Sequence, residues 1–417
     1  MPTLKTVTLG CKVNQYETQY AREGFLRLGY REVVNGEPAD LILFNSCTVT
    51  AESEAKSRKI IRRLAKKNPR AEIIVMGCYA TRRPDEAASF PGVCEVIKDK
   101  RDLPDFLARR GLTDVPSGIC TFQGRHRAWV KVQDGCREKC SYCIVPLVRP
   151  VLASRSVDDV LAEISRLTAA GFAELVLTGI HLGHYGMDFT QCGIDLVGLI
   201  HRIIALDREF RLRLSSIEAA EVTPELLDVM AANPQRICPH LHIPMQSGSD
   251  RILTKMRRRW PVRRFIDRCL EIRERLDQPA LTTDIIVGFP GETEEDFAAT
   301  RRAVEEIGFS KIHVFRFSPR QGTEAATMPN RVPQRTHQRW AAELTELGKR
   351  LTDRYLDDLR GKTLQVLVEG AVSESPCMLL GTADRYVTVE LPGQTDMIGR
   401  LVNVDTGKIV GARLISR

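Results

Sequence analysis

Directly after the strand-like run Trp129-Val-Lys-Val-Gln133, the segment Gly135–Pro146 reads G-C-R-E-K-C-S-Y-C-I-V-P. Its cysteines, Cys136, Cys140 and Cys143, stand at the spacing C-x3-C-x2-C. A short loop can fold three thiolates around one face of a cubane iron–sulfur cluster, and three ligands leave the fourth iron open for chemistry. A structural zinc site would want a fourth Cys or His nearby, and none follows within the loop. The chain holds 12 cysteines but has no signal-peptide layout at Met1-Pro-Thr-Leu-Lys-Thr, a combination that favours metal over disulfides.

At 417 residues, two or three domains are expected. The 43% hydrophobic and 27% charged content is that of a soluble globular protein with real cores. Lys and Arg exceed Asp and Glu by 61 to 53, a mild excess compatible with a nucleic-acid or phosphate-bearing partner. No apolar run approaches the roughly 20 residues that span a bilayer, so a cytoplasmic protein with no membrane partner is expected.

In residues 1–110, Thr6–Leu9, Leu41–Phe44 and Ile73–Met76 read as buried parallel strands, alternating with helices near 14–28 and 51–67. This is the pattern of an open α/β sheet. Each strand runs into a cysteine at its carboxyl end: Cys11, Cys47 and Cys78. Such sheets place ligands at that edge. One cysteine there could be a small buried hydrophobe; three that can converge point to a second three-thiolate cluster. Cys94, Cys120, Cys192, Cys238, Cys269 and Cys377 have no such setting and read as ordinary thiols. Arg58, Lys59, Arg62, Arg63, Lys66 and Lys67 on the second helix fit a solvated face as well as an RNA-facing one. Residues 111–127 look like a linker.

From Trp129 to about 330, six strand-like runs alternate with helices or long loops: Trp129–Gln133, Leu175–Thr178, Leu212–Ser215, Pro239–Ile243, Leu281–Val287 and Ile312–Phe315. Helix starts are signalled at Ser156, Thr223-Pro224 and Thr293. Six β/α units predict an incomplete parallel (β/α)6 barrel with its active face at the carboxyl ends of the strands. The Cys136 loop follows the first strand, so it lies on that face. The other strand ends carry Thr178-Gly179, Ser216 with Glu218, Gln246, and Val287-Gly288. His181 and His184 read as polar loop residues rather than a metal pair. Arg257-Arg-Arg-Trp260 could contact RNA or simply end an exposed helix. After a charged helix from Pro333 to about Leu359, Lys362–Glu369, Tyr386–Glu390, Gly399–Val404 and Lys408–Leu414 predict a small β-barrel, with turns at Gly381, Pro392-Gly393 and Thr406-Gly407.

The cysteine loop with Tyr142 before its third Cys resembles the radical S-adenosylmethionine (SAM) superfamily. With Pro146, Arg149, Ser154 and Arg155 downstream it is similar to the methylthiotransferase branch, although Pro150 stands where relatives usually carry Gly. The strings T-L-G-C-K-V-N-Q-Y-E-T, N-S-C-T-V-T and G-C-Y-A resemble that family's cluster-bearing N-terminal domain, and the C-terminal segment resembles its RNA-binding TRAM domain. The resemblance divides the chain into 1–112, 122–352 and 355–417. It implies two [4Fe–4S] clusters, on Cys136, Cys140 and Cys143 and on Cys11, Cys47 and Cys78, with SAM held near Tyr142, Thr178, Gly179, Ser216, Glu218, Gln246, Val287 and Gly288.

The reaction so implied uses SAM both as the source of a hydrogen-abstracting 5′-deoxyadenosyl radical and as methyl donor. A methylated sulfur would then pass to the substrate radical. No acid–base dyad is needed, and no catalytic side chain is nominated. Gly10–Glu17 and Cys47–Thr50 look most like the branch that modifies N6-threonylcarbamoyladenosine in tRNA. Isopentenyladenosine in tRNA and a ribosomal-protein aspartate are the alternatives within the family. Implied partners are tRNA and a low-potential electron donor such as a flavodoxin or ferredoxin. Readings of other classes are a non-catalytic RNA-binding iron–sulfur protein, which would make no 5′-deoxyadenosine, and an electron carrier, which would lack the strand-end constellation.

Overall fold

The computed structural model describes the whole chain except residues 34–36, 191–192 and 373–374. Cys192, read above as an ordinary thiol, lies outside the described residues. The N-terminal third is a five-stranded parallel sheet ordered Arg31–Glu32, Thr3–Thr8, Leu41–Ser46, Glu72–Gly77, Val93–Val96. Leu41–Ser46 is buried along its whole length, as a central parallel strand with both faces covered must be. Helices Lys12–Arg27 and Ala51–Lys67 follow two of the cysteines. The second is opened by Thr50, whose hydroxyl accepts from Ser53 N at 3.1 Å.

All six expected central strands form: Arg127–Asp134, Glu174–Gly179, Arg211–Leu214, His240–His242, Ala280–Val287 and Lys311–Arg316. They run parallel, and single parallel bridges from Leu212 to Ile237 and from Ser216 to His242 join the third strand to the fourth. The short strand Ala153–Ser154 pairs antiparallel with the first strand at one margin, and the last strand has no partner beyond it, so the barrel is open at one side. Residues alternate across the wall. Val130, Val132, Leu175, Leu177, Leu212 and Leu214 join Val160, Ile164 and Leu167 of an outer helix in one core. The opposite face is polar and turns into the lumen, where His242 Nδ1 lies 2.9 Å from Thr282 Oγ1 and Nε2 lies 3.4 Å from Asp284. The expected N-caps are present at Ser156, Thr223 and Thr293, the last as a full capping box.

Residues 363–416 close into a five-stranded barrel. Its details correct the sequence reading. Gly381 lies inside the strand Ser375–Ala383, which sequence alone missed, because a β-carbon there would meet the Leu367 carbonyl at 2.4 Å. Thr406-Gly407 is no turn: Leu401–Val410 runs through it with an irregularity between Thr406 and Ile409. Thr406 is wholly buried and its hydroxyl donates to Leu359 O, so the bend is taken inside the strand.

Candidate active site

The Cys136 loop leaves the first barrel strand through Gly135 at φ 79°, where a β-carbon would sit 1.9 Å from the Val151 carbonyl. Only glycine fits that crossing. Ser141 ties the loop down: its amide donates to Met256 O, its hydroxyl to Lys255 O, and its carbonyl accepts from Ala325 N. Tyr142 packs against a buried cluster of Ile252, Met256, Phe289 and Ala325. Burial pushes the Cys143 thiol up to about 12 and raises that of Cys140, with the neighbouring loop thiols adding to the effect. Arg258 opposes the rise at Cys140 and points its guanidinium at that sulfur from 3.9 Å.

At the edge of the N-terminal sheet, Cys47 and Cys78 are each 5% exposed, and Cys11 begins the helix Lys12–Arg27 as its N-cap. Gly10, at φ 109°, lets the chain pass so close that a β-carbon there would lie 3.3 Å from Cys47 Cβ. Burial pushes the Cys11 and Cys47 thiols up, and each also feels Cys78 as a like-charged neighbour. The third member reaches across: Cys78 packs with Ile144 and Val148, the residues that follow Cys143. Cys78 of the sheet thus sits against the segment that follows the cysteine loop of the barrel.

Two buried ionic clamps hold that junction. Arg149, 4% exposed, donates to Glu17 and Asp134 at 2.7 Å each and to Asn14 at 3.0 Å, and Lys131 reaches both carboxylates. Although burial opposes it, Arg149 holds the Glu17 and Asp134 carboxyls below their usual range. Lys100 reaches Val148 O at 3.0 Å beside this clamp. On the other flank, Arg320 of the barrel meets Glu54 of the sheet domain, which also pairs with Arg82 at 2.7 Å. Arg82 returns the contact by donating to Gln321 O at 2.7 Å.

Of the eight expected SAM residues, Glu218 alone lines the cavity of about 380 Å³ over the barrel's active face, beside Cys140 of the cluster loop. Ser216 is exposed at the end of the third strand, and Gln246 is held at φ 67° by paired backbone bonds to Asp284 and Ile286. Val287 is fully buried, and Gly288, at φ 78°, packs so close to His337 that a β-carbon would meet its side chain at 2.6 Å. Thr178 is buried with its hydroxyl donated to Val176 O, and Gly179 lies over Gln133.

Sequence reasoning underrated the other walls of this cavity. His181 contacts Cys136 Sγ through Nδ1 at 3.5 Å and Glu221 through Nε2 at 2.5 Å, and its ring stacks on His184 at 3.6 Å. Burial opposes a charge on His181, yet the Cys136 and Glu221 contacts raise its pKa to about 10. Ligand atoms of His181, His184 and Glu221 lie within 4.8 Å of one another. Because both nitrogens of His181 are engaged, the ring acts as an orienting partner of Cys136 rather than a free ligand. Arg258 pairs with Glu218 and Arg259 with Glu138 at 3.2 Å, so the run Arg257–Trp260 faces the cavity. The signal in the sequence was the C-terminal position of these residues relative to their strands; the pairings span 40 residues and could not be read locally.

Comparison with known proteins shows the family. The family described as "Uncharacterized protein family UPF0004" matches residues 3–98, and the radical SAM superfamily matches residues 130–304. The threonylcarbamoyladenosine tRNA methylthiotransferase MtaB of Chlamydia pneumoniae is 38% identical, over 99% of this chain and 97% of its own. The chain belongs to the radical SAM methylthiotransferase family. The tRNA-2-methylthio-N(6)-dimethylallyladenosine synthase of Dictyoglomus thermophilum is 33% identical, over 100% and 98%. Among solved structures, the radical SAM methyltransferase TsrM from Kitasatospora setae shares the fold with a TM-score of 0.55 at 14% identity, over 78% of this chain and 77% of that one.

Membership makes this methylthiotransferase an enzyme that uses SAM and [4Fe–4S] chemistry. Each trio offers three free thiols at strand ends, the soft donors that an iron–sulfur cluster takes. Cys47 and Cys78 are buried, Cys136, Cys140 and Cys143 partly so and Cys11 exposed, and each would give up its proton on binding metal. No helix among the described residues is long and apolar enough to cross a membrane.

Proposed function

We propose that this methylthiotransferase adds a methylthio group at C2 of N6-threonylcarbamoyladenosine in tRNA. The observation that carries the mechanism is the packing of Cys78 against Ile144 and Val148, which sets one cysteine trio against the residue after the other's last thiol. Cys136, Cys140 and Cys143 would hold the cluster that works on SAM, and Cys11, Cys47 and Cys78 a second one. When bound, the clusters and SAM supply the electron, the hydrogen-abstracting radical, the sulfur and the methyl group. The protein's own residues position and shield. His181, fixed by Glu221, orients Cys136. Arg258, fixed by Glu218, sets the polarity beside Cys140. The cavity of about 380 Å³ between them, lined by Glu218, would receive SAM; Tyr142, Thr178, Gly179, Ser216, Gln246, Val287 and Gly288, expected near SAM from the family resemblance, are not part of its lining. The two clamps would keep the sheet domain and the barrel in register.

In this reading the segments 1–112, 122–352 and 355–417 carry, in turn, the second cluster, the SAM chemistry and RNA binding. A flavodoxin- or ferredoxin-type protein would deliver the electron. The substrate choice is supported by the nearly full-length likeness to the MtaB of Chlamydia pneumoniae, at 38% against 33% for the dimethylallyladenosine synthase. Nucleoside analysis of tRNA from a strain lacking this protein tests it. Loss of 2-methylthio-N6-threonylcarbamoyladenosine with accumulation of its unthiolated precursor is expected; an unchanged profile contradicts the assignment.

A further inference from the structure

A second cavity, of about 330 Å³, lies in the lower lumen, where the N-terminal helix, the barrel wall and the C-terminal barrel meet. Strand register sets Trp129, Val176 and Arg213 side by side across three strands of its wall. Lys12, the residue after Cys11, enters from the N-terminal helix, and Lys311 closes the open margin of the barrel. Tyr386 comes from a tight turn of the C-terminal barrel at φ 59° and stacks on His240 with centroids 4.5 Å apart.

The charges around this space do not balance. Arg127 is engaged by Glu369 at 2.7 Å, and Arg213 by Glu174 at 2.9 Å. Among the described residues no carboxylate lies within ion-pair distance of Lys12 or Lys311, although buried Glu174 acts on Lys12 through space. Arg125 donates to the neutral Gln15 at 3.0 Å, lies 4.5 Å over Trp129 and feels Glu369 without pairing with it. Trp129 is 5% exposed and its buried indole N–H has no acceptor. The cavity is thus rich in unspent donors and holds a single carboxylate, Glu369, which is already committed. Concave sites lined by donors of one sign select anions.

We propose that this cavity binds an anionic group of the RNA substrate, either the carboxylate of the N6-threonylcarbamoyl group or a phosphate next to the target nucleoside. The inference rests on the substrate reading above and deepens it. Lys12 follows a cysteine of the junction, so an anion held here would lie beside the reacting region. A carboxylate bound in it would also explain discrimination against a purely apolar N6 substituent, which would leave these donors buried and unanswered.

The test measures the affinity of reconstituted enzyme for three synthetic anticodon stem–loops, bearing N6-threonylcarbamoyladenosine, its uncharged methyl ester, or N6-isopentenyladenosine. Wild-type enzyme and the Lys12→Met and Lys311→Met variants are compared. Lys311 is exposed and remote in sequence from the cysteines, so its variant keeps the fold even if Lys12→Met disturbs its neighbour. Wild type is expected to favour the free acid over the ester by roughly tenfold, and both variants to erase that preference. An equal loss on all three RNAs, with a shallower salt dependence, assigns the site to a phosphate and still supports it. Unchanged affinities in both variants overturn the proposal. If wild type instead binds and converts the isopentenyl RNA best while the variants still weaken binding, the substrate reading fails and the anion site stands.

Discussion

Arg149 shows how much one side chain decides here. Its guanidinium is shared among Glu17, Asp134 and Asn14 with almost no access to water. Removing it leaves two buried carboxylates with Lys131 as the cation paired with them and the Gly135 amide donating to Asp134 at 2.8 Å. Arg149→Met is therefore expected to lower the unfolding free energy by about 3–5 kcal/mol, the usual cost of an orphaned buried charge. Urea titration with and without the substitution checks this, and a shift below 1 kcal/mol would mean that the clamp is solvated. Glu292 works in the opposite direction. It accepts from the amides of Gly288 at 2.6 Å and Phe289 at 3.1 Å, but burial outweighs these bonds and raises its pKa from 4.5 to about 7. A carboxyl raised on folding stabilises fully below its unfolded value, and that contribution is lost as pH rises through the folded one. Stability should fall between about pH 4.5 and 7, and Glu292→Gln should flatten that part of the melting profile.

At the scale of elements, the loop 318–323 and the helix Ala51–Lys67 form a latch. Ala51 N donates to Ser318 Oγ at 3.2 Å, and Arg320 meets Glu54 beside Arg82. Burial works against the Glu54 charge, yet Thr48 and the two arginines bring its pKa from 4.5 down to about 2. Here the sign is reversed: the latch is complete above about pH 4.5 and is lost as the pH falls towards 2. Hydrogen exchange across residues 51–67 should accelerate over that interval, and Glu54→Gln should produce the same acceleration at pH 7. No change in the variant would show that the latch carries no load. Elements such as this one were only half legible in the sequence. Ser156, Thr223 and Thr293 announced their helices, and all six barrel strands could be counted from their apolar runs. Glu54 and Arg320, however, are 266 residues apart, and nothing local links them. The Arg257–Trp260 run read equally as an RNA contact or an exposed helix end for the same reason: its partners, Glu218 and Glu138, arrive from loops that follow other strands. In the last barrel, Thr406-Gly407 has turn chemistry but sits where Thr406 is buried, and packing overrode local preference.

For the whole molecule, three units behave as one because charges are buried where they join. Arg211 and Arg213, each 1% exposed, share Glu174 and donate to the carbonyls of Gln365, Thr382, Ala383 and Asp384 in the C-terminal barrel. Glu174→Gln would leave both arginines buried without a counter-charge, so a loss of several kcal/mol and an earlier release of the C-terminal barrel in thermal melting are expected. The same logic of joined units underlies the chemistry, since the sheet's cysteines matter only if they stand against the barrel's loop. Iron and sulfide content after anaerobic reconstitution tests that directly, comparing wild type with a variant in which Cys11, Cys47 and Cys78 are all Ala. The variant should lose about four irons of about eight while still cleaving SAM reductively at the Cys136 loop. An iron content equal to wild type, or a variant that loses both clusters together with an intact fold, would contradict the two-trio site.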